Sequence, residues 1–116
     1  IIEILNALSN EKRLQLFLVL LEGDFCVCEL QEILNMEQSR LSHQLAILRY
    51  QGLLNSRQEG RWIVYSVPEE IRNNPIVQSI KGSVEVPAPE REKISRVIAQ
   101  NVRGTNSEVL RKGGNQ

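Results

Sequence analysis

Two cysteines, Cys26 and Cys28, stand two residues apart in a chain that has no others. A disulfide between them would close a small strained ring, and a small secreted domain would carry more cysteines, spaced for bridges. The pair reads as reduced thiols, whose chemistry is metal binding, oxidation, or plain packing as small buried apolar groups. Further along, Gln38, Ser39, Arg40, Ser42, His43 and Gln44 crowd one short stretch with no acid among them. Short or forked hydrogen-bonding side chains with cations suit base edges and phosphates in a DNA major groove. A merely solvated face would mix in Glu or Asp. Arg49, and then Arg57 and Arg61 on either side of Glu59-Gly60, add cations downstream. His43 has no Cys or carboxylate at ligand spacing, so it goes with the DNA-reading set. One His, no phosphate-binding glycine loop and no paired carboxylates leave no catalytic set, so an enzyme is not expected.

The elements that must position these residues fit one small domain of 116 residues, 41% hydrophobic and 24% charged. Leu, Ile and Val dominate the apolar set and can form a compact helical core without metal or disulfide staples. The densest apolar run, residues 14–21, is broken by Gln15 and is far short of the ~20 residues that span a bilayer. No signal peptide precedes it, so the expected location is cytoplasmic, with no membrane partner. The first residue is Ile1 rather than Met, and further N-terminal residues are expected. Fourteen basic residues balance fourteen acidic ones, but unevenly. Residues 1–37 hold two basic against seven acidic, whereas 38–61 hold four basic against one. A positive middle in a neutral chain suggests one face aimed at an anionic partner.

Ile1, Ile4, Leu5 and Leu8 recur at helical spacing. Ser9-Asn10 then offers an N-cap, with Glu11 in the first turn of a helix that carries Leu14, Phe17, Leu18 and Leu21 and ends at Gly23 as a C′ residue. Residues 25–28 lead into a short helix through Leu34 with a stripe of Val27, Leu30, Ile33 and Leu34. A turn over 35–37 precedes a helix from Gln38 or Ser39 that turns Leu41, Leu45 and Leu48 inward, with Ala46 and Ile47 beside them, and closes at Gly52. Helices of these lengths joined by a short turn have the proportions of a helix-turn-helix. Period-two patterns over 54–58 and 61–67, joined at Glu59-Gly60, predict a basic hairpin, which in this place is the wing of a winged helix. Pro68-Glu69-Glu70 starts another helix, which Asn73-Asn74-Pro75 interrupts and 76–81 continue. Pro87-Ala88-Pro89 marks a linker, and 90–102 place Ile94, Val97, Ile98 and Val102 on one stripe. The fold expected is mainly α with a small β-hairpin, a dimeric winged helix-turn-helix. Its parts are a DNA-binding and dimerisation domain over 1–82, a linker and C-terminal helix over 83–103, and a disordered tail over 104–116. Helix-turn-helix dimers span half-sites about 34 Å apart. Ile1, Ile4, Leu5 and Leu8, with the helices after Pro68, are left to form the seam.

Three stretches resemble the ArsR/SmtB family of metal-responsive winged-helix repressors. Residues 8–14, LSNEKRL, are similar to the family's entry into its second helix. Residues 39–54, SRLSHQLAILRYQGLL, resemble its recognition helix, and Gly60-Arg61-Trp62 with Tyr65 matches the wing pattern G-R-x-x-x-Y. The likeness covers about residues 8–67. Within the family, Phe25-Cys26-Val27-Cys28-Glu29-Leu30 resembles the inducer site of arsenical-resistance repressors, which implies As(III) or Sb(III) as ligand on Cys26 and Cys28. Those repressors commonly have a third thiol where Gln31 stands here, so the third ligand is a hydroxide, another donor, or a cysteine N-terminal to Ile1. Cadmium and lead sensors use the same Cys-x-Cys segment and stay open. The 68–81 region lacks the Asp/His/Glu cluster of the zinc sensors, which disfavours zinc. A homodimeric repressor of an arsenic-resistance operon is implied, with a thiol redox sensor of the same fold as an alternative. A winged-helix protein-interaction module is the lower one.

Two expectations concern the switch. Side chains at i and i+2 of a helix point roughly 200° apart, so gripping one ion should deform the first turn of the short helix. A helix N-terminus should also lower the thiol pKa and supply thiolate ligands. An inducer that favours the deformed state then lowers DNA affinity through a coupling of typically ~1–3 kcal/mol.

Overall fold

The structure is a computed structural model that describes residues 2–84 and 86–100. Its elements are α1 (Ile2–Leu8), α2 (Glu11–Glu22), β1 (Phe25–Cys26), α3 (Val27–Leu34), α4 (Gln38–Tyr50), β2 (Asn55–Glu59), β3 (Trp62–Ser66), α5 (Glu69–Arg72), α6 (Pro75–Ser83) and α7 (Ala88–Gln100). The tail expected over 104–116, and Val102, lie outside the described residues.

α2 is the centre. Asn10 caps it, its Oδ1 accepting from the N–H groups of Lys12 and Arg13 at 2.9 and 3.1 Å. Every residue from Leu16 to Leu21 is buried, so the helix is enclosed on most sides, as its apolar run predicts. Arg72 of α5 reaches back to its far end and donates to the Leu21 carbonyl at 3.0 Å, serving a group the helix leaves without an internal partner. Gly23 ends α2 as expected, but with extended backbone at φ 176° rather than the left-handed conformation usual for a terminating glycine. Space explains it instead, since a Cβ there would meet the Phe25 ring at 3.1 Å.

α3 and α4 form the helix-turn-helix around Asn35, which takes the left-handed conformation at φ 52°. Leu41, Leu45 and Leu48 of α4 are buried against it, as their spacing predicts. The Leu53 N–H bonds the Leu48 carbonyl and the Gly52 N–H bonds that of Arg49, each at 3.0 Å. With Gly52 at φ 83° this is a Schellman ending, closed by the buried Leu48 and Leu53.

The sheet has three antiparallel strands in the order β1-β3-β2, one more than the hairpin the sequence predicts. β1 is only two residues long and pairs Phe25 with Tyr65 and Cys26 with Val64. The hairpin pairs Glu59 with Trp62, so its two-residue loop is Gly60-Arg61 and not Glu59-Gly60. Gly60 at φ 61° takes the strained position and Arg61 stands at the apex itself.

α5 and α6 are separated at Asn73 and Asn74, where the sequence predicts an interruption. Asn74 caps α6 by accepting from the Ile76 N–H at 2.9 Å. α7 packs on α3 and buries Ile94 and Val97, while Ile98 of the predicted stripe faces outward.

Candidate functional site

Cys26 is the last residue of β1 and the N-cap of α3, with extended backbone at φ −86° and ψ 172°. Cys28 lies inside the first turn. Because Cys26 precedes the helix, its side chain does not follow the helical spacing, and the two Sγ atoms meet at 3.1 Å. This corrects the expectation that only a deformed helix could bring them together. Cys26 is buried and Cys28 exposed. Glu29 completes a capping box: its Oε1 accepts from the Cys26 N–H at 2.9 Å while its own N–H faces the Cys26 thiol. Glu29 is also the one buried charged residue among those described.

That environment overturns the expected activation of Cys26. Burial pushes its pKa well above the ordinary thiol value of 9.0, and the Glu29 charge pushes the same way. The bond from the Glu29 N–H works in the opposite direction and is outweighed. Two sulfurs sharing one ion through bonds of ~2.3 Å at a tetrahedral angle lie roughly 3.8 Å apart, so the pair must open by roughly 0.7 Å to hold one. No three His, Cys, Asp or Glu side chains converge on a metal-sized site among the described residues.

On α4, Gln38, Ser39, Arg40, Ser42, His43 and Arg49 are all exposed, whereas Leu41, Leu45 and Leu48 are buried. Ser39 donates to the Glu37 carboxylate at 2.7 Å. Gln44 is placed apart from this set. It is half-buried, and its Oε1 accepts at 3.2 Å from Arg13, whose Nε also donates to the Ala7 carbonyl at 2.6 Å. Gln44 therefore ties α4 to α2 and to the end of α1. Ala46 faces solvent rather than flanking the core, and Tyr50 is 90% exposed. Ala46 follows His43 by three residues and Tyr50 follows it by seven, which sets both along the same outer face. That was the signal for adding them to it, masked by the apolar character of the two side chains.

In the wing, Arg61 extends from the loop with its guanidinium 4.5 Å from the centre of the Trp62 ring. Arg57 is placed differently. Its guanidinium meets Asp24 Oδ2 at 3.0 Å and Glu59 Oε2 at 2.7 Å. Desolvation works against its charge, but the hydrogen bonds to Glu59 and Asp24 prevail and raise its pKa.

A helix-turn-helix with an exposed polar reading face and a basic wing matches a known sequence pattern. Residues 10–56, from the cap of α2 into β2, match the family described as bacterial regulatory protein, arsR family. The chain is 39% identical over 71 residues to the arsenical resistance operon repressor of Escherichia coli (strain K12), which covers 60% of this chain and 61% of that protein. It is 35% identical over 76 residues to the arsenical resistance operon repressor of Bacillus subtilis (strain 168), or 65% of this chain and 72% of that one. The solved structure of HlyU from Vibrio cholerae N16961 superposes with a TM-score of 0.64 at 34% identity, over 71% of this chain and 88% of that one.

The chain belongs to the arsR family. Its fold is the winged helix of that family, and the family description is that of a regulator, not of an enzyme. The arsR-family chain spans about three fifths of the length of the Escherichia coli repressor. No helix among its described residues is long and apolar enough to cross a membrane.

Proposed function

We propose that this arsR-family chain is a cytoplasmic, homodimeric transcriptional repressor of an arsenic-resistance operon. It leaves its operator when As(III) or Sb(III) bridges Cys26 and Cys28. The observation that carries the reading is the 3.1 Å approach of the two sulfurs at the start of α3, the first helix of the helix-turn-helix. Two As–S bonds replace two As–O bonds of arsenous acid, the thiol protons leaving with the two waters. A hydroxide or a donor from outside the described residues completes the shell.

Gln38, Ser39, Arg40, Ser42 and His43 would face base edges and phosphates from the first turns of α4, with Arg49 at its far end and Arg61 at the wing tip on the backbone. Ile2 and Leu5, 69% and 50% exposed on α1, support a dimer seam there, since two-fold reading of DNA needs two copies. The names of the Escherichia coli and Bacillus subtilis relatives support the arsenical inducer.

The test is fluorescence anisotropy of the gene's upstream DNA with the reduced protein, titrated with arsenite. Release at about one equivalent per subunit is expected, and none from Cys26→Ser with Cys28→Ser, which still binds DNA. A double variant that stays fully inducible overturns the site. The same sulfur contact favours a second reading, release by oxidation of the thiol pair. Release by peroxide but not by arsenite selects it, and release by cadmium or lead selects those ions.

A further inference from the structure

Cys26 is joined to the wing by more than chain connectivity. In the strand register Cys26 lies opposite Val64 and Val64 opposite Arg57, so the three occupy one row across the sheet. Residues in such a row share a face of the sheet. The guanidinium of Arg57 then forks. One nitrogen is 3.0 Å from Asp24, two residues before Cys26, and another is 2.7 Å from Glu59, the last residue before the wing loop. One side chain thus connects the thiol junction on one edge of the sheet with the base of the wing tip on the other.

The same geometry argues against a direct phosphate contact by Arg57. Both ends of its guanidinium are already held by carboxylates, which leaves it poorly placed to take a phosphate as well.

We propose that the Asp24–Arg57 ion pair is the link that carries the state of the thiol pair to the wing, with Arg57 as a positioning residue and not a DNA ligand. The proposal rests on the reading of Cys26 and Cys28 as a ligand site. A ligand that turns the Cys26 sulfur toward a shared ion shifts β1, Asp24 shifts with it, and Arg57 transmits the shift to Glu59 and the loop that presents Arg61.

Trp62 is the only tryptophan in the chain and lies opposite Glu59 at the base of the loop, which makes it a reporter. The probe is phenylarsine oxide, which forms two As–S bonds with a thiol pair and releases one water. It is added to the full chain without DNA, and uptake is read as the loss of both thiols in a dithionitrobenzoate count. A change in Trp62 emission and anisotropy is expected in the wild type. Asp24→Asn should take up the reagent equally but give less than a third of the change. Asp24→Glu should restore it, and Glu59→Gln, which weakens the second step of the same relay, should also reduce it. A wild type that takes up the reagent with no Trp62 response overturns the proposal, as does an Asp24→Asn response of wild-type size.

The second arm is operator affinity. Arsenite should weaken wild-type binding about tenfold and Asp24→Asn binding twofold or less. If Trp62 responds through Asp24 while arsenite leaves wild-type DNA binding unchanged, the link stands and the arsenite-responsive repressor falls. If arsenite releases both proteins equally, the repressor stands and the link falls.

Discussion

The outer face of α4 and the junction from Asp24 to Glu29 are both rich in groups able to do chemistry, yet they are used in opposite ways. On α4 the polar side chains stand in solvent, and of the outward set Ser39 bonds only to neighbouring Glu37. At the junction the groups are turned on one another: thiol to thiol, carboxylate to backbone N–H, and Asp24 to an arginine 33 residues away. A face whose donors and acceptors are left open can change partner at little cost to the fold. At the junction the Cys26 thiol and the Glu29 carboxylate are buried and paired, and an unmade bond there leaves a desolvated group. The comparison separates a surface open to new partners from one whose groups are already turned on one another.

The sharpest way to break the comparison is to cross from the outer to the inner side of the same helix. Leu41→Ala removes a fully buried side chain and should cost about 2–5 kcal/mol in denaturant unfolding. Arg40→Ala, one position away but exposed, should leave that unfolding free energy within about 0.5 kcal/mol. At the junction, Glu29→Ala leaves the buried Cys26 N–H without its acceptor and should cost about 1–3 kcal/mol in the same measurement. Loss of stability from Arg40→Ala, or none from Glu29→Ala, would erase the distinction.

The wing sharpens it further. Arg61→Ala should lower the slope of log affinity against log salt by about 0.9, the value for one phosphate contact, with the melting temperature unchanged. Arg57→Gln should leave that slope unaltered while its internal pairs are lost. The smallest effect expected is one of order. Iodoacetamide should modify exposed Cys28 before buried Cys26, as peptide mass mapping of partly labelled protein would show.

Much of this was legible from residues alone. The inward stripe of Leu41, Leu45 and Leu48, the cap at Asn10, the stop at Gly52 and the break before Pro75 all stand where their local patterns place them. The thiols and the outer face of α4 were also identifiable, because residue type and helical spacing are enough to pick them out. β1 was not. Two residues give no period, and Phe25 and Cys26 are a strand only because β3 comes alongside. Gln44 has the same character as Ser42 and His43, but it lies three residues after Leu41 and four before Leu48, beside the buried stripe, where Arg13 meets it.

The sequence by itself determined the helices, the wing and the family, since periodicity, capping residues and turn glycines act over a few residues. Tertiary structure decided how the chemistry is arranged. It set Cys26 outside the helix with its sulfur against that of Cys28, withheld the expected acidity of that thiol by burying it beside Glu29, and bound Arg57 to Asp24. These outcomes depend on desolvation and on partners far apart in the chain. Neither quantity exists until the helices and strands have packed.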